Sequence, residues 1–388
     1  MNEEKLYYQD CHMKNFTAVV TGCVKTEKGY EITLDQTAFY PEGGGQACDL
    51  GTLADAKVLY VKEQGEAVVH LCDKPLEAGE TVAGVVDWER RFDLMQQHTG
   101  EHIVSGIINR RFGWHNVGFH MGSEVITIDF DGPIPADALA EIEAEANRKV
   151  WQNLPIHCWY PSEEQLPTVP YRSKRQLPWP VRVVEIPGVD ICACCGVHVA
   201  QTGEIGFIKL FSCVKFHQGV RIEMACGARA LAFLSDIYDQ NRQVSQAFSA
   251  KILETGEAAR RMNEALAAEK YRTVALQKQV FGYIAEQYRD QGNVVHIGED
   301  ISPAGIRELA EAISGVCGGT AAVFSGSDGR FDVCLAHPGG DVKELGNKMA
   351  KALKGRGGGK PGFFQGSVRA GKEEIFAFFE NFSRQTQF

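Results

Sequence analysis

Gln97-His98-Thr99-Gly100-Glu101-His102, read together with Cys192-Ala193-Cys194-Cys195-Gly196-Val197-His198, decides how this chain is organised. Residues four apart on a helix share a face, so His98 and His102 can offer two imidazoles to one ion. Cys194 and His198, also four apart, supply a thiolate and a third imidazole, which completes a tetrahedral donor set for Zn²⁺. Cys192 and Cys195 are alternative sources of the thiolate, and Cys194 is the one that matches the spacing to His198. A lone histidine on a helix face is more often a hydrogen-bonded core or surface residue, so the pair takes its meaning from the second cluster. Residue 99 is Thr, which departs from the His-Glu-x-x-His pattern of metallopeptidases. The two donor pairs lie far apart in sequence, unlike the close knuckles of most structural zinc sites, and this points to a cleft.

Ahead of the histidine pair, residues 1–90 are β-rich. Tyr30, Ile32 and Leu34 alternate with Glu31, Thr33 and Asp35, and glycines punctuate short strands, a pattern that predicts a small antiparallel barrel. The loop from Thr37 to Gln46 carries Gly43-Gly44-Gly45; it is either a tight barrel corner or a segment whose backbone approaches another surface. From Trp88 apolar residues recur at helical spacing through Ile107. Residues 91–227 then mix strands with a helix over 135–153, a proline-rich stretch over 155–180, and a strand over 181–186 that delivers the cysteine cluster. Glycine and proline nearly vanish over 228–291, which reads as a helical segment broken at Gly256. Residues 292–388 return to α/β, ending in a basic helix, the glycine run 355–362 and a final helix. The expected fold is α+β and multidomain: an N-terminal β-barrel (1–90), a zinc-containing α+β domain (91–227), a helical linker or hairpin (228–291) and a C-terminal α/β domain (292–388).

The composition, 44% hydrophobic and 23% charged over 388 residues, is that of a soluble globular chain. No apolar run is long enough to span a bilayer and Met1-Asn2-Glu3-Glu4-Lys5 lacks a signal-peptide pattern, so a cytoplasmic protein without a membrane partner is expected. The 12 cysteines are scattered, as for reduced thiols in a large chain. A net charge of −10 argues against general polyanion binding. One window runs the other way: Lys343, Lys348, Lys351, Lys354, Arg356, Lys360, Arg369 and Lys372 with Glu344 as its single acid. It is a candidate phosphate-contacting face, set against the bland alternative of a solvated helix followed by a glycine loop.

His98-x₃-His102 and Cys194-x₃-His198 resemble the metal motifs of alanyl-tRNA synthetase editing domains and of the free-standing AlaX proteins. The loop ending in Gly44-Gly45-Gln46 is similar to that family's barrel loop, and Thr202-Gly203-Glu204-Ile205-Gly206 and Gly219-Val220-Arg221-Ile222-Glu223 to its later strands. The run from Gly355 to Gln365 resembles the glycine-rich signature of the C-terminal domain called DHHA1. Since the sequence opens at the barrel, the resemblance is to the long form of AlaX, with a DHHA1-like domain for tRNA binding and dimerisation over 292–388.

The resemblance implies hydrolysis of mischarged tRNA(Ala), chiefly seryl and also glycyl, at zinc held by His98, His102, Cys194 and His198. Glu101 is then a candidate base. Thr37, Gln46 and His120 are candidate substrate contacts, with Gly118-Phe119-His120 standing where synthetase editing sites carry a glutamine. Lys343, Lys348, Lys351, Lys354, Arg356 and Lys360 are candidate tRNA contacts, and a homodimer through the C-terminal region is implied as well. The rival expectation is a non-catalytic tRNA-binding protein whose zinc is structural.

Overall fold

A computed structural model describes residues 4–135, 137–173, 177–327 and 329–385. Residue 136, in the helix expected over 135–153, and residues 174–176, in the proline-rich stretch, lie outside the described residues. The chain divides into two compact units, 1–243 and 244–388. The four-part division expected above therefore maps onto two bodies, with the barrel and the histidine-bearing domain in the first.

In the first unit, β1 (Asn15–Thr26), β2 (Gly29–Leu34), β3 (Gly51–Leu53), β4 (Ala56–Gln64), β5 (Ala67–Cys72) and β6 (Thr81–Val86) close a barrel in the order β1-β2-β5-β4-β3-β6. The alternation of the sequence is the cause: Phe16, Ala18 and Val20 of β1 turn inward to meet Ile32, Leu34, Val58 and Val82. Asp87 caps the next helix, α1 (Trp88–Phe112), by accepting from the Arg90 amide, and Gly113 closes it at φ 77°. Sixteen of its residues, among them every one from Leu94 to Ile108, are buried. A helix covered all round is a central element, packed by sheets as well as helices.

Two sheets flank α1. One is β7 (Asn116–Met121), β8 (Ile126–Phe130), β12 (Ile208–Phe216) and β13 (Gly219–Cys226), ordered β12-β13-β8-β7; the other is β9 (His157–Trp159), β10 (Val183–Ile186) and β11 (Asp190–Ala193), ordered β9-β10-β11. The helix α2 (Ala138–Trp151) packs beside α1 through Ile142, Ala146 and Val150. Gly106 decides one approach: a Cβ there would sit 2.5 Å from the Val189 carbonyl and 2.8 Å from the Asp190 Cβ. Without it the start of β11 lies directly on α1 and brings Asp190 to His102.

The helical stretch breaks earlier than Gly256. Helix α3 (Gly227–Ala247) ends before Ser249, which has φ 49°, and α4 (Thr255–Glu286) starts just ahead of Gly256. In the second unit β14 (Gly292–Gly298), β15 (Gly318–Ser327), β16 (Arg330–Ala336), β17 (Arg356–Lys360) and β18 (Phe363–Val368) form one sheet ordered β14-β15-β16-β18-β17, with only β14 and β15 parallel. Helix α5 (Pro303–Cys317) packs on one face, and α6 (Lys343–Ala352) and α7 (Lys372–Gln385) contribute to the core of the other. The glycine run is no loop. It is the edge strand β17, and a Cβ on Gly359 would lie 2.1 Å from the Phe363 carbonyl, so bare backbone is what lets it pair with β18. Among the described residues no helix is long and apolar enough to cross a membrane.

Candidate metal centre and active site

One turn of α1 separates His98 from His102, both 2% exposed, with ring centroids 5.3 Å apart. The segment after β11 returns Cys194 and His198 to the same point. Cys194 Sγ lies 3.5 Å from His98 Nε2 and 3.8 Å from His198 Nε2, and the donor atoms of His98, His102, Cys194 and His198 all fall within 4.8 Å of one another. Metal–nitrogen bonds of about 2.0 Å and metal–sulfur bonds of about 2.3 Å at tetrahedral angles give an N···S edge of about 3.6 Å, which these separations match. The other two thiols stand apart from this set: Cys195 is exposed, and Cys192 groups with His102 and Asp190.

The imidazoles are oriented from behind. His98 Nδ1 meets Gln46 Oε1 at 2.8 Å, and the same oxygen accepts from the Val197 amide. His102 Nδ1 meets Asp190 Oδ2 at 3.0 Å, and Asp190 receives the Arg172 guanidinium on both oxygens, at 2.7 and 2.8 Å. With Nδ1 donating to an oxygen, the Nε2 lone pair of each ring faces the centre, as a metal ligand requires. Gly196 makes this fit possible, since a Cβ there would lie 2.2 Å from the His98 ring. Arg182 stacks over Tyr8 at 4.4 Å and donates to the carbonyls of Cys194 and Gly196, fixing the loop that carries the thiol.

Charge follows the same design. Burial disfavours the Cys194 thiolate, yet His98, His198 and a hydrogen bond with His102 hold its pKa well below the usual thiol value. Burial opposes a charged His102 as well, but the Asp190 carboxylate and Cys194 raise its pKa well above 6.5. Burial likewise works against an ionised Asp190, and the bonds from His102 and Arg172 outweigh it. Three imidazoles, one thiolate-prone sulfur and two anchored rings make a donor set that fits a tetrahedral metal ion.

The centre lies against a cavity of about 880 Å³ lined by His98, His102, Cys194 and the Gly43–Gly45 loop, with Tyr8, Tyr160, Arg172 and Arg182 among its other walls. Glu101 lines it as well, although it is only 5% exposed. One of its oxygens accepts from Ser105 Oγ and Asn116 Nδ2, and the other lies 3.9 Å from His102 Nε2. The carboxylate dictates that Asn116 presents its amide nitrogen to it, which leaves Asn116 Oδ1 buried without a protein partner.

Thr37, Gln46 and His120 are not among the residues lining this cavity. Thr37 is fully buried: its hydroxyl accepts from the Phe39 amide and pairs with His70 Nε2 at 2.8 Å. Gln46 acts behind His98, and His120 is exposed on β7. Asn116 and Phe119 of the same strand line the cavity instead. Sequence reasoning missed Asn116, Ser105, Asp190, Arg172 and Arg182. Ser105 sits four residues after Glu101 on α1, a spacing that could have flagged it; the others carry no local signal. In the second unit Lys343, Lys348, Lys351, Lys354, Arg356 and Lys360 are all exposed, and Lys348 pairs with Glu344 at 2.8 Å.

Residues 181–223 match the family model described as the threonyl and alanyl tRNA synthetase second additional domain, and residues 2–90 match that of class II (A) tRNA synthetases. The alanyl-tRNA editing protein Aarsd1 of Mus musculus is 29% identical over 94% of this chain and 93% of its own, and Aarsd1-A of Xenopus laevis 28% identical over 92% and 89%. The alanine--tRNA ligase of Thermofilum pendens is 31% identical over 94% of this chain, which covers 42% of the ligase. A solved C-Ala domain of Aquifex aeolicus alanyl-tRNA synthetase aligns with 22% of this chain and 87% of its own at 23% identity, but with a TM-score of 0.20 that likeness carries no weight. Over nearly its whole length the chain is similar to alanyl-tRNA editing proteins of the AlaX-like family, and it is similar to the corresponding part of the alanine--tRNA ligases.

Proposed function

We propose that this protein deacylates mischarged tRNA(Ala), chiefly Ser-tRNA(Ala) and also Gly-tRNA(Ala), at a Zn²⁺ site formed by His98, His102, Cys194 and His198. The observation that carries the reading is a four-donor centre lying against a cavity that a buried carboxylate, Glu101, also lines. The chemistry answers a real need. A pocket that must admit alanine discriminates weakly against glycine or against serine, so a second hydrolytic site is required.

Bound there, Zn²⁺ supplies a fixed positive charge for an ester carbonyl and for water. The protein's own residues do the rest. Ser105 and Asn116 hold one oxygen of Glu101, leaving the other to take a proton from water that attacks the ester carbon. The bond from the acyl carbon to the terminal ribose oxygen breaks, and the proton passes to that oxygen. Arg182 lines the cavity and gives the acceptor end a positive charge, while Arg172 beside it is held on Asp190. The C-terminal unit, read as DHHA1-like, holds the body of the tRNA through its basic window. Exposed Met262, Leu266, Val274 and Val280 of α4 offer a face for pairing with a second copy. Localisation in the cytoplasm, where charged tRNA is used, goes with this reading.

A second reading is favoured by one observation. Four protein donors can fill a tetrahedral shell, and a filled shell describes a structural metal in a non-catalytic tRNA-binding protein. Deacylation of Ser-, Gly- and Ala-tRNA(Ala), with chelator and after zinc is restored, separates the two. Zinc-dependent release of serine supports the hydrolase; metal loss that unfolds the protein, with no turnover at any stage, supports the structural reading.

A further inference from the structure

The second unit holds a basic corner of its own. Arg330, Lys354, Arg356 and Arg369 line a cavity of about 220 Å³ together with Gly355, Ser367 and Val368. Three adjacent strands end there. Arg330 opens β16, Arg356 opens β17, and Val368 closes β18, with Phe331 paired to Val368 and Arg356 paired to Ser367. The Arg369 amide donates to the Leu353 carbonyl and ties the turn after α6 to the same corner.

Among the described residues no acid lines this cavity and none of the four cations makes an ion pair. Other cations of the same unit do, as in Arg307 with Glu311, Lys348 with Glu344 and Arg289 with Glu286. Four like charges brought to one corner of a protein of net charge −10 repel one another unless an anion sits among them. Lys354 adds a second observation. It follows the C-cap of α6 at φ 50°, a left-handed position that glycine usually fills, and so keeps a cation where a bare backbone would be less strained.

We propose that this corner is a phosphate-binding pocket, with Arg330 and Arg369 as members that lie outside the basic helix and glycine run. Guanidinium forks suit the several acceptor oxygens of one phosphate group, and the volume suits that group better than a whole nucleotide. The source is a backbone phosphate of folded RNA or a free phosphate, and it rests on the tRNA reading above only for the first of these.

The test uses full-length protein and uncharged tRNA(Ala), so that failure of the wild type to hydrolyse Ser-tRNA(Ala) would sink the proposed function without touching this result. The Arg330→Glu/Arg369→Glu variant is compared with Lys25→Glu/Lys28→Glu, an equal charge change at exposed positions of the barrel. The pocket variant is expected to lose tRNA affinity by about tenfold or more and to flatten the log K against log salt slope by about 1, as loss of one phosphate contact requires. The barrel variant should change affinity by less than about threefold, on the same electrostatic logic. Arg330→Lys/Arg369→Lys should restore most of the binding, which separates charge from misfolding. Binding of inorganic phosphate to the wild type, lost in the pocket variant while tRNA affinity holds, would support the pocket with free phosphate as its ligand. Equal losses from both double variants, or no loss of either ligand, would overturn it.

Discussion

Gln46 Oε1 stands 2.8 Å from His98 Nδ1, so a glycine loop of the barrel orients a candidate metal ligand on the central helix. The glutamine does not line the cavity; its effect on chemistry passes through the imidazole. Gln46→Ala is therefore expected to lower zinc affinity by about 10- to 100-fold, the usual effect of removing a partner behind a ligating histidine. Gln46→Glu keeps an acceptor for both His98 and the Val197 amide and should retain the metal. Competition against a chromophoric chelator measures both. Equal affinity in wild type and Gln46→Ala would show that His98 is oriented by something else.

The loop is itself clamped. Arg91 and Asp49 are both fully buried, with Arg91 Nε 2.8 Å from each Asp49 oxygen and its Nη2 on the Ala38 carbonyl, while Asp49 also accepts from the Tyr40 amide. Removing one partner of such a pair leaves a buried charge uncompensated. Asp49→Ala should destabilise the first unit by about 3–5 kcal/mol in urea unfolding. A loss under about 1 kcal/mol, the size expected for an exposed pair, would contradict the clamp.

A second buried network sets a pH dependence. His70 donates from Nδ1 to the Ile32 carbonyl and accepts at Nε2 from the Thr37 hydroxyl, and burial lowers its pKa from 6.5 to about 4 despite the carbonyl. The unfolded chain then binds a proton more readily than the folded one between these values. The neutral imidazole's contribution is fully present above about pH 6.5 and is lost as pH falls toward about 4, a change on the order of 3 kcal/mol. His70→Gln should lose less stability than wild type over that interval. Parallel urea midpoints between pH 7 and 4.5 would refute the assignment.

Glu101 has a distinct signature. Glu101→Gln preserves the bonds to Ser105 and Asn116 but removes the basic oxygen, so kcat for deacylation should fall by about 10²- to 10⁴-fold while zinc content stays at wild-type level. Asn116→Ala, which frees the carboxylate to swing, should lower kcat by a smaller factor. Single-turnover serine release alongside metal analysis reads both. An unchanged kcat in Glu101→Gln would assign the proton transfer elsewhere.

How much of this could be read in the chain depends on whether the relationship is local. His98 with His102, and Cys194 with His198, are legible because one helical turn and one short segment fix each pair. The β alternation from Tyr30 to Leu34 is legible for the same reason. Gln46 behind His98, Asp190 behind His102 and Arg91 on Asp49 are tertiary meetings between elements far apart in sequence, and no periodicity records them. Thr37 is a further case: its hydroxyl meets His70, a residue that only the closed barrel brings beside it. The glycine run after α6 reads as a loop by composition, yet absence of side chains is what allows edge strand β17 to lie against Phe363 and Phe364.

The most direct test of the central claim is the rate of serine release from Ser-tRNA(Ala) by protein stripped of metal and then given one equivalent of Zn²⁺, with Cys194→Ala treated in parallel. Stripped wild-type protein should be inactive and regain turnover with zinc, while Cys194→Ala should neither hold the metal nor recover. Turnover that persists in the stripped protein, or equal turnover in Cys194→Ala, would contradict a metal-dependent hydrolytic centre at His98, His102, Cys194 and His198.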